Sequence, residues 1–348
     1  MSGPGNPLEK THVSSLPTIS TTVYPIAGIL TTVYGISELP ANIKEVACLW
    51  LLHPRLQTQA SMTPLAAQSI HHWNSRRGDS GKGLIAISFD QRNHGSRLVH
   101  KMANEAWRQG NERHAQDMFS CYQGTSQDCS LLLTHISSYL PPSLPQPREH
   151  LVLGISLGGH AAWHSLLSDP RITAGIVIIG CPDFQRLMLQ RAEKSRRKTS
   201  GPNFLGSTDF PAALVSAVDA FDPAGMFLPN ELKGPNVVSA GIASVVPDSS
   251  IQASTATLLN SRLQNKKILL QSGGADKLVP YACGETFLRF LKTAASSWWK
   301  GNGLVLDDRV YEGVGHETTP QMAKEAVEWI EDVLAGNIRK SGVKESRI

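Results

Sequence analysis

The apolar and polar positions of this chain change period repeatedly, and each change predicts an element. Residues 46–52 are a continuous apolar run (Val-Ala-Cys-Leu-Trp-Leu-Leu), the pattern of a strand buried on both faces. Residues 83–89, 150–153, 172–179 and 267–270 repeat it, and 304–310 reads as a further strand. Between them the apolar spacing turns helical, over residues 64–74, 111–139, 161–167, 281–297 and 320–334. Pro141-Pro142 closes the second of these helices. Strands alternating with helices predict an α/β fold, a mostly parallel central sheet flanked by helices on both faces. Residues 21–37 differ: two β-rich runs split by Pro25 and Gly28 predict an antiparallel pair at the sheet's edge.

Between Cys181 and Gln264 the strand signal fades. That stretch carries several Pro and Gly and predicts short helices over residues 211–220 and 254–263. An irregular excursion so long inside one domain points to a functional segment. The expected organisation is a disordered segment over 1–18, a core over 19–181 and 265–335, a helical cap over 182–264, and a flexible tail over 336–348.

The run Gly154-Ile155-Ser156-Leu157-Gly158-Gly159-His160 falls where the strand 150–153 turns into the helix 161–167. A serine at such a turn, with glycines two residues to either side, is a nucleophile elbow. Side chains at the flanking positions would clash, which explains Gly154 and Gly158. The following helix aims free N–H groups at any anion formed there, the Leu157 amide first. A serine hydroxyl needs a base, and the base an orienting acid. Asp276 follows strand 267–270 in Ser272-Gly273-Gly274-Ala275-Asp276-Lys277-Leu278-Val279-Pro280. His316 follows strand 304–310 in Tyr311-Glu312-Gly313-Val314-Gly315-His316. Both sit past the C-terminal ends of strands, the edge at which open α/β sheets bind ligands.

With these motifs the chain resembles α/β-hydrolase-fold proteins over residues 49–334. The order Ser156, Asp276, His316 is that family's triad order. Ser88-Phe89-Asp90-Gln91-Arg92-Asn93-His94-Gly95-Ser96 resembles its Asp-x-Arg-Gly-His-Gly turn after the fourth strand, with Asn93 in place of Gly. Leu51-Leu52-His53-Pro54-Arg55 resembles its His-Gly turn after the third strand, which supplies an oxyanion donor. Pro54 stands where the family has Gly and has no N–H, so the resemblance implies Leu157 and Arg55 as the oxyanion hole. It also implies a helical cap inserted after the sixth strand. Asp183, just after that strand, occupies the fold's other acid position; the sequence Gly-Ala-Asp-Lys-Leu-Val-Pro favours Asp276. His53, Pro54, Ile155 and Asp183 are the residues expected to meet substrate.

Composition narrows the classes. At 348 residues with 41% hydrophobic and 18% charged residues, the chain suits a globular enzyme. The net charge of +4 is concentrated in the run 191–198 (Arg-Ala-Glu-Lys-Ser-Arg-Arg-Lys), expected as a solvated face of the insertion. No aromatic RNA-binding pattern accompanies it, so no nucleic-acid partner is expected. The five cysteines fit no zinc spacing and no leader precedes them, which predicts reduced thiols in an intracellular compartment. No stretch reaches the roughly 18 apolar residues of a membrane span. His160 and His164 lie one turn apart, but no third ligand joins them; they and His71, His72 and His94 are expected to pack, with no metal and no cofactor. Asp219 and Asp222 are expected to cap and turn. Ser346-Arg347-Ile348 resembles the Ser-Lys-Leu peroxisomal address, so the expected location is peroxisome or cytoplasm, with an import receptor as a partner in the first case.

The expected activity is a serine hydrolase acting on a small-molecule ester or thioester, with acyl-CoA among the substrates if the tail is an address. A second copy in a homodimer is the other partner considered. The chain also resembles fungal hydrolases of secondary-metabolite pathways. Two other readings keep the fold: an acyltransferase, lyase or cyclisation catalyst under a sealed apolar cavity, and a binding protein with a disassembled triad.

Overall fold

A computed structural model of the chain describes residues 5–9, 11, 17–76, 81–234, 249–338 and 342–347. The two β-rich N-terminal runs form β1 (Thr21–Ile26) and β2 (Ile29–Tyr34), an antiparallel hairpin. Its two-residue turn has positive φ at both Ala27 (49°) and Gly28 (78°), the twist that matches right-handed strands. The buried apolar runs form β3 (Glu45–Leu52), β4 (Lys82–Phe89), β5 (Pro147–Ile155), β6 (Ile172–Ile178), β7 (Lys267–Gly273) and β8 (Val305–Tyr311). With β9 (Gly342–Arg347) they make one sheet in the order β1-β2-β4-β3-β5-β6-β7-β8-β9. Only β1–β2 and β2–β4 are antiparallel; every other pair is parallel.

Alternation along the strands sends neighbouring side chains to opposite faces. In β3, Val46, Cys48, Trp50 and Leu52 join one core with Phe119, Trp163 and Phe287. Those three come from α2 (His114–His135), α3 (Leu157–Ser168) and α8 (Tyr281–Ser296). Ala47, Leu49 and Leu51 join a second core with Trp73 of α1 (Thr63–Arg76) and Trp329 of α9 (Pro320–Leu334). The five cysteines are buried and unpaired. Among the described residues no helix is long and apolar enough to cross a membrane.

Between β6 and β7 lie α4 (Phe184–Lys194), α5 (Ala212–Phe221), α6 (Pro223–Phe227) and α7 (Ser249–Leu263). Asp183 caps α4 by accepting the Arg186 amide at 3.0 Å, and Asp222 caps α6 ahead of Pro223. Such caps each stabilise a helix by about 1 kcal/mol.

Two terminal expectations fail. Residues 342–347, expected in a flexible tail, pair with β8 from Val305↔Gly342 to Val310↔Arg347. An open β8 edge presents unpaired N–H and C=O groups that take up a further strand, and this strand is too polar to announce itself by an apolar run. Ser346 and Arg347 of the address-like ending lie in β9; Ile348 lies outside the described residues. At the other end, Leu8 and Thr11 are buried, and Leu8 joins the α1/α9 core. The Pro7 carbonyl accepts the Thr318 amide at 2.8 Å, two residues beyond His316. One apolar residue in a polar segment leaves no periodic trace.

Candidate active site

The neighbours of β3 are β4 on one side and β5 on the other, so the direction in which strands are added reverses there. The crevice outside the strand ends at such a reversal is where open α/β sheets bind ligands. β5 delivers Ser156 to it and β3 delivers the turn His53-Pro54-Arg55. β7 and β8 are followed by the loops that carry Asp276 and His316.

Ser156 sits at φ 55° and ψ −113°, outside the regions a side chain prefers, a strain held by its surroundings. Its N–H donates to the Ile178 carbonyl at 2.9 Å, and its carbonyl accepts the His160 amide at 3.1 Å and His160 Nδ1–H at 2.8 Å. A Cβ at Gly154 would overlap the Gly158 carbonyl, and a Cβ at Gly158 would overlap that of Leu52. Backbone atoms cannot swing aside as a side chain can. Gly158→Ala is therefore expected to destabilise the fold by about 3 kcal/mol or more, read as a lowered urea midpoint at unchanged slope.

Ser156 Oγ lies 2.9 Å from His316 Nε2, and His316 Nδ1 lies 2.8 Å from Asp276 Oδ2. A carboxylate oxygen accepts, so Nδ1 carries the ring proton and Nε2 turns its lone pair to the serine O–H. Asp276 Oδ1 accepts the amides of Leu278 at 2.8 Å and Val279 at 2.9 Å. Burial works against the Asp276 charge, yet His316 and the two amides outweigh it and hold the carboxyl below its usual range. Asp276 is thus an anion at neutral pH with both oxygens bonded. Ser156 is buried and the His316 side chain is 13% exposed, so the array lies just under the surface.

The expected oxyanion donors are uncommitted. Leu157 opens α3, and neither its amide nor that of Arg55 has an acceptor among the described residues. The Arg55 side chain turns aside and donates to the Asn104 carbonyl at 2.9 Å.

The residues expected to meet substrate fare differently. His53 is fully buried; Nδ1–H donates to the Pro54 carbonyl at 2.7 Å and Nε2 accepts the Gln91 amide at 3.0 Å. Burial, partly countered by the Pro54 bond, pushes its pKa down to about 4, so the ring is a neutral brace between two turns. Pro54 is buried with it. Ile155 is fully buried in the α1/α9 core. Asp183 caps α4 and pairs with Arg186 Nε at 2.9 Å; it makes no contact with His316. Burial pushes its pKa up to about 6 despite Arg186. These side chains hold structure; of the candidate site residues, Ser156, His316 and Asp276 are the ones joined side chain to side chain in one hydrogen-bond chain.

His160 and His164 are buried against Tyr122, with ring centroids 5.3 and 4.8 Å away, and burial pushes both to a pKa of about 3. Among the described residues no three His, Cys, Asp or Glu side chains gather as a metal site. The run 191–198 is the expected solvated face only in part: Glu193, Lys194, Arg196 and Lys198 are exposed, but two of its arginines are engaged. Arg191 is half-buried, and Arg197 bonds both Glu112 and Asp209.

No protein-family model matches the chain, and no curated protein matches it. Solved structures do. A Thermus thermophilus protein is 18% identical, covering 91% of this chain and 99% of its own at a TM-score of 0.51. A 2,6-dihydroxy-pseudo-oxynicotine hydrolase is 16% identical over 94% of this chain and 72% of its own, TM-score 0.51. The acylaminoacyl peptidase of Pyrococcus horikoshii is 12% identical over 93% of this chain and 42% of its own, TM-score 0.50. At such identities the likeness is one of backbone path.

Proposed function

We propose, from the α/β-hydrolase fold that this chain has, that it is a serine hydrolase cleaving a carboxylic ester or acyl thioester of a small molecule. The observation that carries the reading is the unbroken hydrogen-bond chain from Ser156 Oγ through His316 to Asp276.

In this mechanism Ser156 Oγ attacks the carbonyl carbon while His316 Nε2 takes its proton. The carbonyl oxygen becomes an oxyanion facing the Leu157 and Arg55 amides, each donor contributing on the order of 10²–10³ in kcat. The intermediate collapses, the alcohol or thiol leaves with the proton from His316, and the acyl group stays on Ser156. Water then attacks the acyl-enzyme, His316 again taking and returning a proton, and the acid departs. Asp276 keeps the proton on Nδ1 and offsets the imidazolium charge. Helices α4 to α7 serve as the cap. Transfer to water, rather than to another acceptor, is supported by a neighbouring cavity that opens to solvent and carries cations in its wall.

Labelling with a fluorophosphonate tests this. The native chain is expected to take up one label that Ser156→Ala does not. A folded native chain that stays unlabelled overturns the reading. Paired kcat/KM values for matched oxygen esters and acyl-CoA thioesters then decide the leaving group.

A further inference from the structure

A cavity of about 180 Å³ opens beside the acid loop. Leu278, two residues past Asp276, lies in its wall, as does Arg55, two residues past His53. Arg55 and His114 also line a smaller adjoining space with Leu157, the residue after Ser156. The two spaces share Arg55 and His114, and the smaller one reaches the first residue of the nucleophile's helix.

Five cations line it: Arg55, Arg108, Arg191, Lys194 and Lys277. They come from four separate parts of the chain. Among the described residues none has a carboxylate within ion-pair distance, whereas Arg186 of α4 pairs with Asp183, and Arg197 in the turn after α4 pairs with Glu112 and Asp209.

The side chains of four of the five have partners among the described residues, and all of those partners are neutral; the Lys277 ammonium has none. Arg191 donates to the Leu278 carbonyl at 3.2 Å, to Met118 Sδ at 3.0 Å and to His114 Nε2 at 3.3 Å; its Nε has no partner. His114 Nδ1 donates to the Glu105 carbonyl at 3.0 Å, which leaves Nε2 as an acceptor, and burial and the two arginines keep the ring neutral. Lys194 donates to the Lys277 carbonyl at 2.8 Å and to Gln190 at 3.1 Å, Arg108 to the Lys194 carbonyl, and Arg55 to the Asn104 carbonyl. Glu105 and Asp276 act on Arg55 and Arg191 from beyond pairing distance, and Asp276 is already bonded to His316. Half-buried guanidinium groups without a counter-charge are costly to keep in a fold.

We infer that this cavity seats an anionic group of the substrate, a carboxylate or a phosphate, through Arg191 and Arg55 with the lysines at its rim. A guanidinium fork matches either oxyanion in two parallel bonds. The volume is that of roughly six waters, enough for such a head and a short linker. The inference rests on the hydrolase reading only in calling the ligand a substrate.

The test compares kcat/KM for pairs that differ by the anion alone. One arm sets the mono-p-nitrophenyl ester of glutaric acid against p-nitrophenyl pentanoate; the other sets S-butyryl phosphopantetheine against S-butyryl pantetheine. The native chain is expected to prefer the anion on the order of tenfold or more in one arm, and Arg191→Met to bring that ratio near one. The arm that responds identifies carboxylate or phosphate. Ratios near one in both arms of the native chain, or a ratio that Arg191→Met leaves intact, overturn the proposal. Should Arg191→Met not fold, Arg55→Gln and Lys277→Ala read the same ratio.

Binding without turnover separates this from the hydrolase reading. Calorimetry of glutarate and of inorganic phosphate with native and Ser156→Ala protein is expected to show one anion bound in both. Binding to a native chain that takes no fluorophosphonate keeps the anion site and removes the hydrolase. A chain that labels and hydrolyses but neither binds nor prefers anions does the reverse.

Discussion

Ser156→Ala and His316→Ala are each expected to lower kcat on a p-nitrophenyl ester by on the order of 10⁶, and the double variant by no more. That is about 8 kcal/mol of transition-state stabilisation. The loss is shared because the two groups act as one unit. Oγ at 2.9 Å from Nε2 is reactive only while the ring can take its proton, and the ring has nothing to deprotonate once the hydroxyl is gone. What survives should be the residual rate of about 10³–10⁴ over water that oriented amides and binding supply, here those of Leu157 and Arg55. Steady-state rates on variants with native circular dichroism check it. If the losses add in the double variant, the two residues act separately and the shared proton path is wrong.

The elbow was legible because its constraints are local. Gly154 and Gly158 are demanded by carbonyls that the turn itself, and the strand beside it, bring to their Cα atoms. Asp276 and His316 were legible because short buried strands place their C-terminal loops at one edge. His53, Ile155 and Asp183 were misassigned for the opposite reason. A buried histidine between two turns, a core isoleucine and a helix cap are defined by Gln91, by the α1/α9 core and by Arg186, and no spacing reveals those partners. β9 and Leu8 each offer too little apolar pattern to register.

The cationic cavity was half visible. Its residues come from parts of the chain that only the fold assembles, so the sequence displays one piece, the run 191–198, and that piece looks solvated. A helical projection carries the missing signal: Arg191 falls three and four residues after the buried Met188 and Leu187, and so on the inner face of α4.

Asp276→Asn is expected to lower kcat on the order of 10⁴ while leaving the fold intact. The two amides that bond Oδ1 decide how the new side chain sits. They keep an oxygen opposite Leu278 and Val279, which turns the asparagine NH₂ toward His316 Nδ1. That nitrogen must then accept, the ring proton moves to Nε2, and a donor instead of a lone pair faces Ser156 Oγ. Acid removes the same contact by another route. The native Asp276 pKa is depressed, so its contribution to stability is present above the unfolded value and fades as pH falls through the folded one. Asp183→Ala is the discriminating partner measurement. Asp183 caps a helix and pairs with Arg186, so its loss should appear as a lowered melting temperature, with kcat changed far less than by Asp276→Asn. The opposite pattern, with activity lost at 183 and kept at 276, would move the acid to the end of β6 and undo the array assigned here.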